Sequence, residues 1–353
     1  MLKTNNHLPL IPLFQKFITE TQSGKRVQKN GKSIRNSTVE NYKALLSNLL
    51  KYSEKFKDAI EINVRFRHTK QVFEKEQKFY RKFYKQFTDF LYARNCTDNY
   101  VGLLIKTLRS FFKYLQEVKG YETGNFYKSF YSCREEIAVL VFSQEQLSVL
   151  IFDEAFNSSL PKHLIKTRDV LVFGCTVGLR FCDLIALKQR NLEHKFEKTY
   201  LIAKSQKTNM ETRIKLPQYA IQILAKYKKK QRTLLPSITI IQFNNNIKQI
   251  AILAGWTYEV GKERSRRGVR REIKKNGKPY RFCDMVSSHI MRRTAITTLL
   301  LMGVPEPLVR KISGHSANSK EFYKYVNYTD SFIDDETDRA FAKLTIGINT
   351  INQ

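Results

Sequence analysis

The sequence predicts a mainly α-helical protein with a small antiparallel β-hairpin, and three observations lead to this fold class. Apolar and aromatic residues recur at helical spacing through residues 38–118. A glycine-containing segment without clear periodicity, residues 120–139, separates this part from the rest of the chain. Further on, two short strand-like stretches flank the polar turn SQKTNM, which is the pattern of a hairpin.

The chain is strongly basic. Its 353 residues include 62 Lys and Arg against 32 Asp and Glu, which gives a formal net charge of +30. Such an excess, spread along the sequence, is typical of a protein that binds a polyanion, most often nucleic acid. A merely soluble basic protein is the alternative. Membrane binding is disfavoured, because the basic residues are not gathered on one amphipathic segment and no stretch approaches the roughly 20 apolar residues of a membrane span.

The cysteines and the N-terminus indicate a cytoplasmic protein without a metal or other cofactor. The five cysteines form no CxxC pair and have no histidine at metal-ligand spacing, so we expect neither disulfides nor a zinc site. The first residues lack an apolar run followed by a small-residue cleavage site, so no signal peptide is expected. The cysteines are Cys96, Cys133, Cys175, Cys182 and Cys283.

The first half of the chain predicts a helical domain at residues 37–125. Residues 1–36 are interpreted as a short N-terminal extension that ends in a polar, basic loop. A helix follows, with Ser37 or Thr38 as its N-cap. Further helices are expected at about 73–94 and 98–118, and their basic faces either are solvated or lie along DNA. Residues 126–139 are interpreted as a linker.

The second half, residues 140–330, predicts a mixed α and β domain. Its first helix begins at Ser143, with Gln146 completing a capping box. Two buried helices meet at a turn at Gly178, and the hairpin and further helices follow. Gly303 and Gly314 are expected to end the last two of these.

Two other segments have alternative interpretations. The basic run 261–282 is a loop or hairpin that is either a solvated insertion or a DNA contact. Residues 331–353 are interpreted as a C-terminal tail, and the apolar face of residues 331–344 is expected to dock either on a neighbouring subunit or on its own chain.

Three short motifs contain residues suited to chemistry on a phosphodiester. GLRFCDL contains Arg180, which either serves a site or forms a local ion pair with Asp183. HIMRR places His289 and Arg292 on one face of a helix. GHSANSKEFYKYVNY contains His315 and three tyrosines. Guanidinium groups match phosphate oxygens, histidines move protons, and a tyrosine hydroxyl can attack phosphorus.

Together these motifs resemble those of the tyrosine recombinase (phage integrase) family, in particular its mobile-element integrase branch. GLRFCDL is similar to the first arginine box of that family, HIMRRT to its H-x-L-R-R-T box, and SGH to its L-G-H box. The resemblance covers about residues 30–330. It implies a helical, SAM-like core-binding DNA domain followed by an α+β catalytic domain.

The resemblance also implies a role for each matching residue of the phosphate site. Arg180 and Arg292 would hold the scissile phosphate. His289 would assist proton transfer at the nucleophile, and His315 would hydrogen-bond the phosphate. Lys207, in the hairpin, would protonate the 5′-hydroxyl, with Lys204 as the alternative because hairpin registers are easily misassigned.

The resemblance narrows the nucleophile to two tyrosines. In the usual spacing it stands nine residues after the L-G-H histidine, where this chain has Lys324. Tyr323 matches one family pattern in EFYKYV, whereas Tyr325 matches the F-x-x-Y-[IV] pattern of the mobile-element branch. The two are about 200° apart on a helix, so only one can face the phosphate. We predict Tyr325, with Tyr328 as a core or surface residue.

The partners implied are double-stranded DNA recombination sites, a homotetramer on paired sites and an accessory DNA-bending factor, at the nucleoid. No cofactor is implied. Only about 25 residues precede the first predicted loop, so an arm-binding domain is not expected, which favours an invertase or a compact transposon integrase. A type IB topoisomerase and a catalytically inactive DNA-binding protein are the alternatives. The reaction performed (integration, excision or inversion) stays open.

Overall fold

The computed structural model describes residues 6–28, 30–57, 59–66, 69–135, 137, 140–206, 210–228, 232–315, 322 and 337. These residues form mainly helices with small antiparallel sheets, which confirms the predicted fold class. The chain divides into two compact units: residues 1–137 with 263–273, and residues 138–262 with 274–353.

The elements are numbered in chain order over the part of the chain that the structure describes. The helices are α1 (Leu10–Gln22), α2 (Asn36–Phe56), α3 (Lys70–Ala93), α4 (Asp98–Glu117), α5 (Gln144–Phe152), α6 (Glu154–Ser159), α7 (Lys162–Val177), α8 (Phe181–Ile185), α9 (Gln218–Ala225), α10 (Ile240–Leu253), α11 (Phe282–Met285), α12 (His289–Leu301) and α13 (Glu306–Ser313). The strands are β1 (His7–Pro9), β2 (Glu61–Asn63), β3 (Leu192–Lys195), β4 (Lys198–Lys204), β5 (Glu211–Lys215), β6 (Glu263–Arg266) and β7 (Val269–Glu272). Strand β1 pairs with β2, β4 lies between β3 and β5, and β6 pairs with β7, all antiparallel.

The first unit has a core rich in aromatic side chains. Phe14 and Phe17 of α1 pack against Phe111 and Tyr114 of α4, with ring centroids 4.9–5.3 Å apart. Large rings that meet edge to face bury much apolar area and gain a further favourable quadrupole term. Helix α1 is therefore part of this core. The prediction that residues 1–36 form an extension outside the helical domain is wrong for the residues of α1.

The other boundary of the helical unit also lies beyond its predicted place. Tyr127 and Phe130, in the predicted linker, are buried in the same core. The helical unit therefore continues past residue 125, because these two rings complete its packing. Helix α2 begins one residue before Ser37, with Arg35 at the N-cap and no side-chain cap, so the predicted caps lie inside its first turn.

Residues 263–273 of the basic run contain a hairpin, β6–β7, and belong to the first unit and not to the predicted catalytic domain. Asp98, at the start of α4, accepts the backbone N–H groups of Arg267 (2.8 Å) and Gly268 (2.9 Å) at the hairpin turn. The Arg267 guanidinium lies 2.7 Å from the carboxylate of Asp89. The placement depends on contacts between segments about 170 residues apart in sequence, which the local pattern does not report.

The second unit is built around α7, whose residues from Val170 to Val177 are almost all buried. The predicted capping box is present at the start of α5: Ser143 Oγ accepts from the Gln146 N–H at 3.2 Å, and Gln146 Oε1 accepts from the Ser143 N–H at 3.0 Å. Strand β3 is an additional strand beside the predicted hairpin β4–β5. None of the helices in the described residues has the length and apolar character needed to span a membrane.

Candidate phosphate-binding site

The site begins where α7 ends, at Gly178. Its φ of +64° lies in the left-handed region that glycine adopts without strain, so the helix stops here as the sequence predicts. A β-carbon on Gly178 would lie 3.1 Å from Cβ of Ala295, and one on Gly174 would collide with Sδ of Met291. The two glycines therefore let α12 lie close against α7. This approach sets the position of the site residues on α12.

Arg292 is the most buried charged residue of the site, with 1% of its surface exposed. Its Nη1 donates to the carbonyl oxygen of Gly178 at 2.8 Å. Its Nη2 lies 3.0 Å from Nε2 and 3.1 Å from Nδ1 of His315. These contacts hold the guanidinium in one orientation, so its charge is in place before any ligand arrives.

His315 follows α13 directly. Gly314 ends that helix with φ of +65°, as predicted, and a β-carbon on it would lie 3.1 Å from Cγ2 of Thr212 on β5. The His315 side chain is buried, and its Nδ1 lies 2.8 Å from Oγ of Ser313. The glycine turn and this serine therefore place the imidazole beside Arg292.

Arg180 stands immediately before α8 and is bound to the hairpin. Its Nη1 donates to Oγ of Ser205, just beyond β4, at 2.9 Å. Asp183 Oδ1 accepts the backbone N–H of Gln206 at 3.1 Å. Arg180 and Asp183 thus each bind the hairpin and do not bind each other. The alternative prediction of a local ion pair between them is wrong.

A cavity of about 570 Å³ brings three of the predicted site residues together: Arg180, His289 and Arg292 all line it. Its remaining lining is Leu179, Phe181, Cys182, Ile185, Ala186, Ile240 and Ser288. The two arginines in the lining provide N–H donors for a tetrahedral anion, and the imidazole of His289 provides a proton carrier in the same lining. These three side chains give the cavity the groups that chemistry on a phosphodiester needs.

His289 is placed by the start of its helix. Ser288, at the N-cap of α12, donates its backbone N–H to Oδ1 of Asn244 on α10 at 2.7 Å. His289 and Arg292 then lie one turn apart on α12, as their spacing predicts.

Other predicted site residues lie outside the described residues. They are Lys207, Tyr325 and its alternative Tyr323, and Tyr328, predicted as a core or surface residue, also lies outside them. The alternative lysine, Lys204, is the last residue of β4 and is exposed. The Ser205 N–H donates to the Met210 carbonyl oxygen at 2.9 Å, so the hairpin closes at Ser205, next to Arg180.

Cys182 lines the cavity, and its chemistry is that of a neutral thiol. Burial, together with the nearby Asp183, raises its pKa above the usual value. A raised pKa leaves little thiolate near neutral pH, so Cys182 is not an activated nucleophile. Among the described residues, no cluster of three histidine, cysteine or acidic side chains could hold a metal ion.

Sequence reasoning missed two serines of this site. Ser205 is 6% exposed and Ser313 is 3% exposed, and each bonds one residue of the site. One signal was available for Ser313, since it stands where the resembled L-G-H box has leucine. For Ser205, the one available signal was its position just before the QKT sequence of the predicted hairpin turn.

The comparison with family models identifies the family of the chain. The model of the phage integrase family matches residues 149–331, and the chain belongs to that family, whose members are tyrosine recombinases. The matched segment contains every predicted site residue, both the described ones and those at 207 and 325. No curated protein sequence matches the chain.

Solved structures of recombinases share its fold. The Tn1549 transposon integrase in complex with transposon right end DNA has a TM-score of 0.60 and 14% identity, over 94% of this chain and 99% of that one. The same integrase in complex with circular intermediate DNA has a TM-score of 0.57 and 13% identity, over the same shares. The XerH site-specific recombinase bound to its difH substrate has a TM-score of 0.56 and 13% identity, over 90% and 92%.

Proposed function

We propose that this protein is a site-specific DNA recombinase that cleaves and rejoins DNA through a 3′-phosphotyrosyl intermediate. The observation that carries the proposal is the meeting of Arg180, His289 and Arg292 in one cavity, from two motifs far apart in sequence. Double-stranded DNA is the proposed partner, since the chain has a net charge of +30 and the similar recombinases were solved with DNA.

The two arginines and His315 form the proposed phosphate site. Arg292 is held by the Gly178 carbonyl, and Arg180 is held by Ser205. A guanidinium is a planar fork of N–H donors, and its geometry matches the non-bridging oxygens of the scissile phosphate. His315, beside Arg292, would hydrogen-bond the same phosphate. The negative charge that develops during attack is thereby stabilised by groups already oriented.

The proposed chemistry exchanges one phosphate ester for another. The hydroxyl oxygen of Tyr325 forms a bond to phosphorus as the bond from phosphorus to the 5′ oxygen breaks. His289 takes the tyrosine proton, and Lys207 gives a proton to the leaving 5′ oxygen. Attack by the 5′-hydroxyl of another strand reverses these steps and restores the tyrosine. Ester-bond energy is conserved, so rejoining requires no nucleotide cofactor.

The proposed assembly is a homotetramer on two paired recombination sites, assisted by an accessory DNA-bending factor. Residues 331–353 would dock on a neighbouring subunit, and the helical unit would contribute to DNA binding. The reaction moves, removes or inverts a DNA segment, according to the arrangement of the two sites.

The proposal is tested with a nicked suicide substrate and with a plasmid that carries two sites. The protein should form a covalent adduct on the first and recombinant products on the second. An adduct with relaxation but without recombinants would indicate a type IB topoisomerase. Binding without any adduct would indicate an inactive DNA-binding protein.

A further inference from the structure

We propose that Ser313 is a positioning residue that holds His315 in the tautomer protonated at Nδ1, so that Nε2 is the ring nitrogen left to bond the phosphate once it too carries a proton. The role for Nε2 rests on the proposed function, whereas the tautomer concerns the DNA-free protein alone. The two claims are therefore tested separately.

The Ser313 hydroxyl has one hydrogen and three close neighbours. Its Oγ lies 2.7 Å from the Val309 carbonyl oxygen, 3.3 Å from the Arg310 carbonyl oxygen and 2.8 Å from His315 Nδ1. Two oxygens 2.7 Å apart repel each other unless a hydrogen lies between them, and a carbonyl oxygen supplies none. The hydroxyl therefore donates to Val309, as buried helical serines commonly do toward the fourth preceding residue.

With its hydrogen directed at Val309, the Ser313 oxygen can only accept from the imidazole. At 2.8 Å, Nδ1 of His315 must then carry the hydrogen of that bond. The serine is 3% exposed and its hydroxyl is bonded within its own helix. Its oxygen is thus a fixed acceptor, which selects one tautomer of a ring that in water would exchange between two.

Arg292 does not distinguish the two ring nitrogens. Its Nη2 lies 3.0 Å from Nε2 and 3.1 Å from Nδ1 of His315, so the hydrogen on Nδ1 is assigned by the serine alone. A phosphate oxygen is an acceptor, so Nε2 must carry a hydrogen to bond it. A proton taken up at Nε2 gives the imidazolium, which keeps its Nδ1–H on Ser313 and donates from Nε2 to a phosphate oxygen that Arg292 holds.

The tautomer is read by nitrogen NMR of DNA-free protein labelled with ¹⁵N-histidine. The chain has six histidines, so His315→Gln identifies the signals of His315. We expect Nδ1 to show the shift of a protonated nitrogen and Nε2 that of an unprotonated one. A wild-type protein with the hydrogen on Nε2 overturns the proposal, whether or not it recombines DNA.

Three variants test the role of the serine. Ser313→Ala removes the acceptor, so the His315 signals should shift toward a mixture of tautomers and cleavage should slow by about tenfold or more with DNA affinity unchanged. Ser313→Thr keeps the hydroxyl and should restore both readouts. The control Thr107→Ala removes a buried hydroxyl whose hydrogen bond within the described residues goes to the Leu103 carbonyl in α4, and both readouts should stay at wild-type values. Unchanged His315 signals in Ser313→Ala would contradict the proposal, and cleavage lost in every variant and in the wild type would instead contradict the proposed function.

Discussion

Arg180 donates a hydrogen bond to Ser205 at 2.9 Å, and Ser205 in turn closes the hairpin through its N–H bond to Met210. One arginine of the proposed phosphate site is thus fixed to a residue that stands two positions before Lys207, the predicted general acid, in the sequence. Because Asp183 binds the next backbone N–H, at Gln206, the contact between α8 and the hairpin is doubled. The hairpin and the first arginine therefore form one structural element.

Ser205→Ala should slow cleavage on the order of 10-fold to 100-fold, because the guanidinium of Arg180 loses the bond that orients it and small misplacements are costly. The rate of adduct formation on a suicide substrate measures this. In an Arg180→Lys background the same change should have little further effect, since both act through one group. The matched control is Thr212→Val, which removes a hydroxyl bonded to the Ala203 carbonyl in the same hairpin. Equal losses in the control would mean that Ser205 only stabilises the hairpin.

Replacement of the site arginines by lysine should separate catalysis from folding. Arg180→Lys and Arg292→Lys each retain the charge but lose the two-pronged donor geometry, so cleavage should fall on the order of 100-fold or more while DNA binding persists. Arg292→Lys should also lower the melting temperature, because the Gly178 carbonyl loses its buried partner. Cleavage near the wild-type rate in either variant would exclude that arginine from the phosphate site.

The nucleophile is tested by two conservative changes. Tyr325→Phe removes only a hydroxyl, so the variant should bind DNA and form no covalent adduct. Tyr323→Phe, its matched control, should form the adduct normally. Peptide mapping of the wild-type adduct then identifies the tyrosine directly, and an adduct on Tyr323 would contradict the assignment.

DNA binding and cleavage should respond differently to ions. The logarithm of the DNA-binding constant should fall steeply and linearly with the logarithm of the salt concentration, because contacts between basic residues and phosphates release counterions. Cleavage at constant ionic strength should proceed in EDTA, since the proposed phosphate site uses arginines for its positive charge. Filter-binding or anisotropy titrations and adduct assays measure the two effects. A strict magnesium requirement in the cleavage step would contradict the proposed mechanism.

Stability should depend on pH through Asp284, at the start of α11. Ion pairs with Lys275 (2.6 Å) and Arg281 (3.1 Å) lower its pKa to about 2, with the Lys275 bond the largest cause. A carboxyl group whose pKa is lowered in the folded state stabilises the fold at pH values above its unfolded-state pKa, which is about 3.9. This stabilisation is lost as the pH falls toward the folded-state pKa of about 2. Asp284→Asn should therefore cost about 1 kcal/mol at neutral pH, since both cations are half-exposed, and nothing near pH 2.

Thermal unfolding between pH 2 and 7 measures that difference. Lys275→Ala should remove part of the same stability, and its effect should not add to that of Asp284→Asn. A melting temperature of Asp284→Asn equal to that of the wild type at neutral pH would show that these ion pairs are fully screened.

The sequence by itself determined which residues are candidates for the site and most of the local structure around them. Arg180, His289, Arg292 and His315 are candidates because their motifs are short and their residue types suit phosphate chemistry. Helical periodicity, the hairpin and the helix ends at Gly178 and Gly314 follow from interactions within a few residues.

Only the tertiary structure decided which partners hold those residues. Arg292 bonds a carbonyl 114 residues away, and Arg180 bonds a serine 25 residues away. It also placed α1 in the helical core and joined residues 263–273 to the first unit. Such contacts depend on how closely packed elements approach one another, as α7 and α12 do at Gly174 and Gly178. The local sequence pattern does not specify which distant residue a side chain will contact.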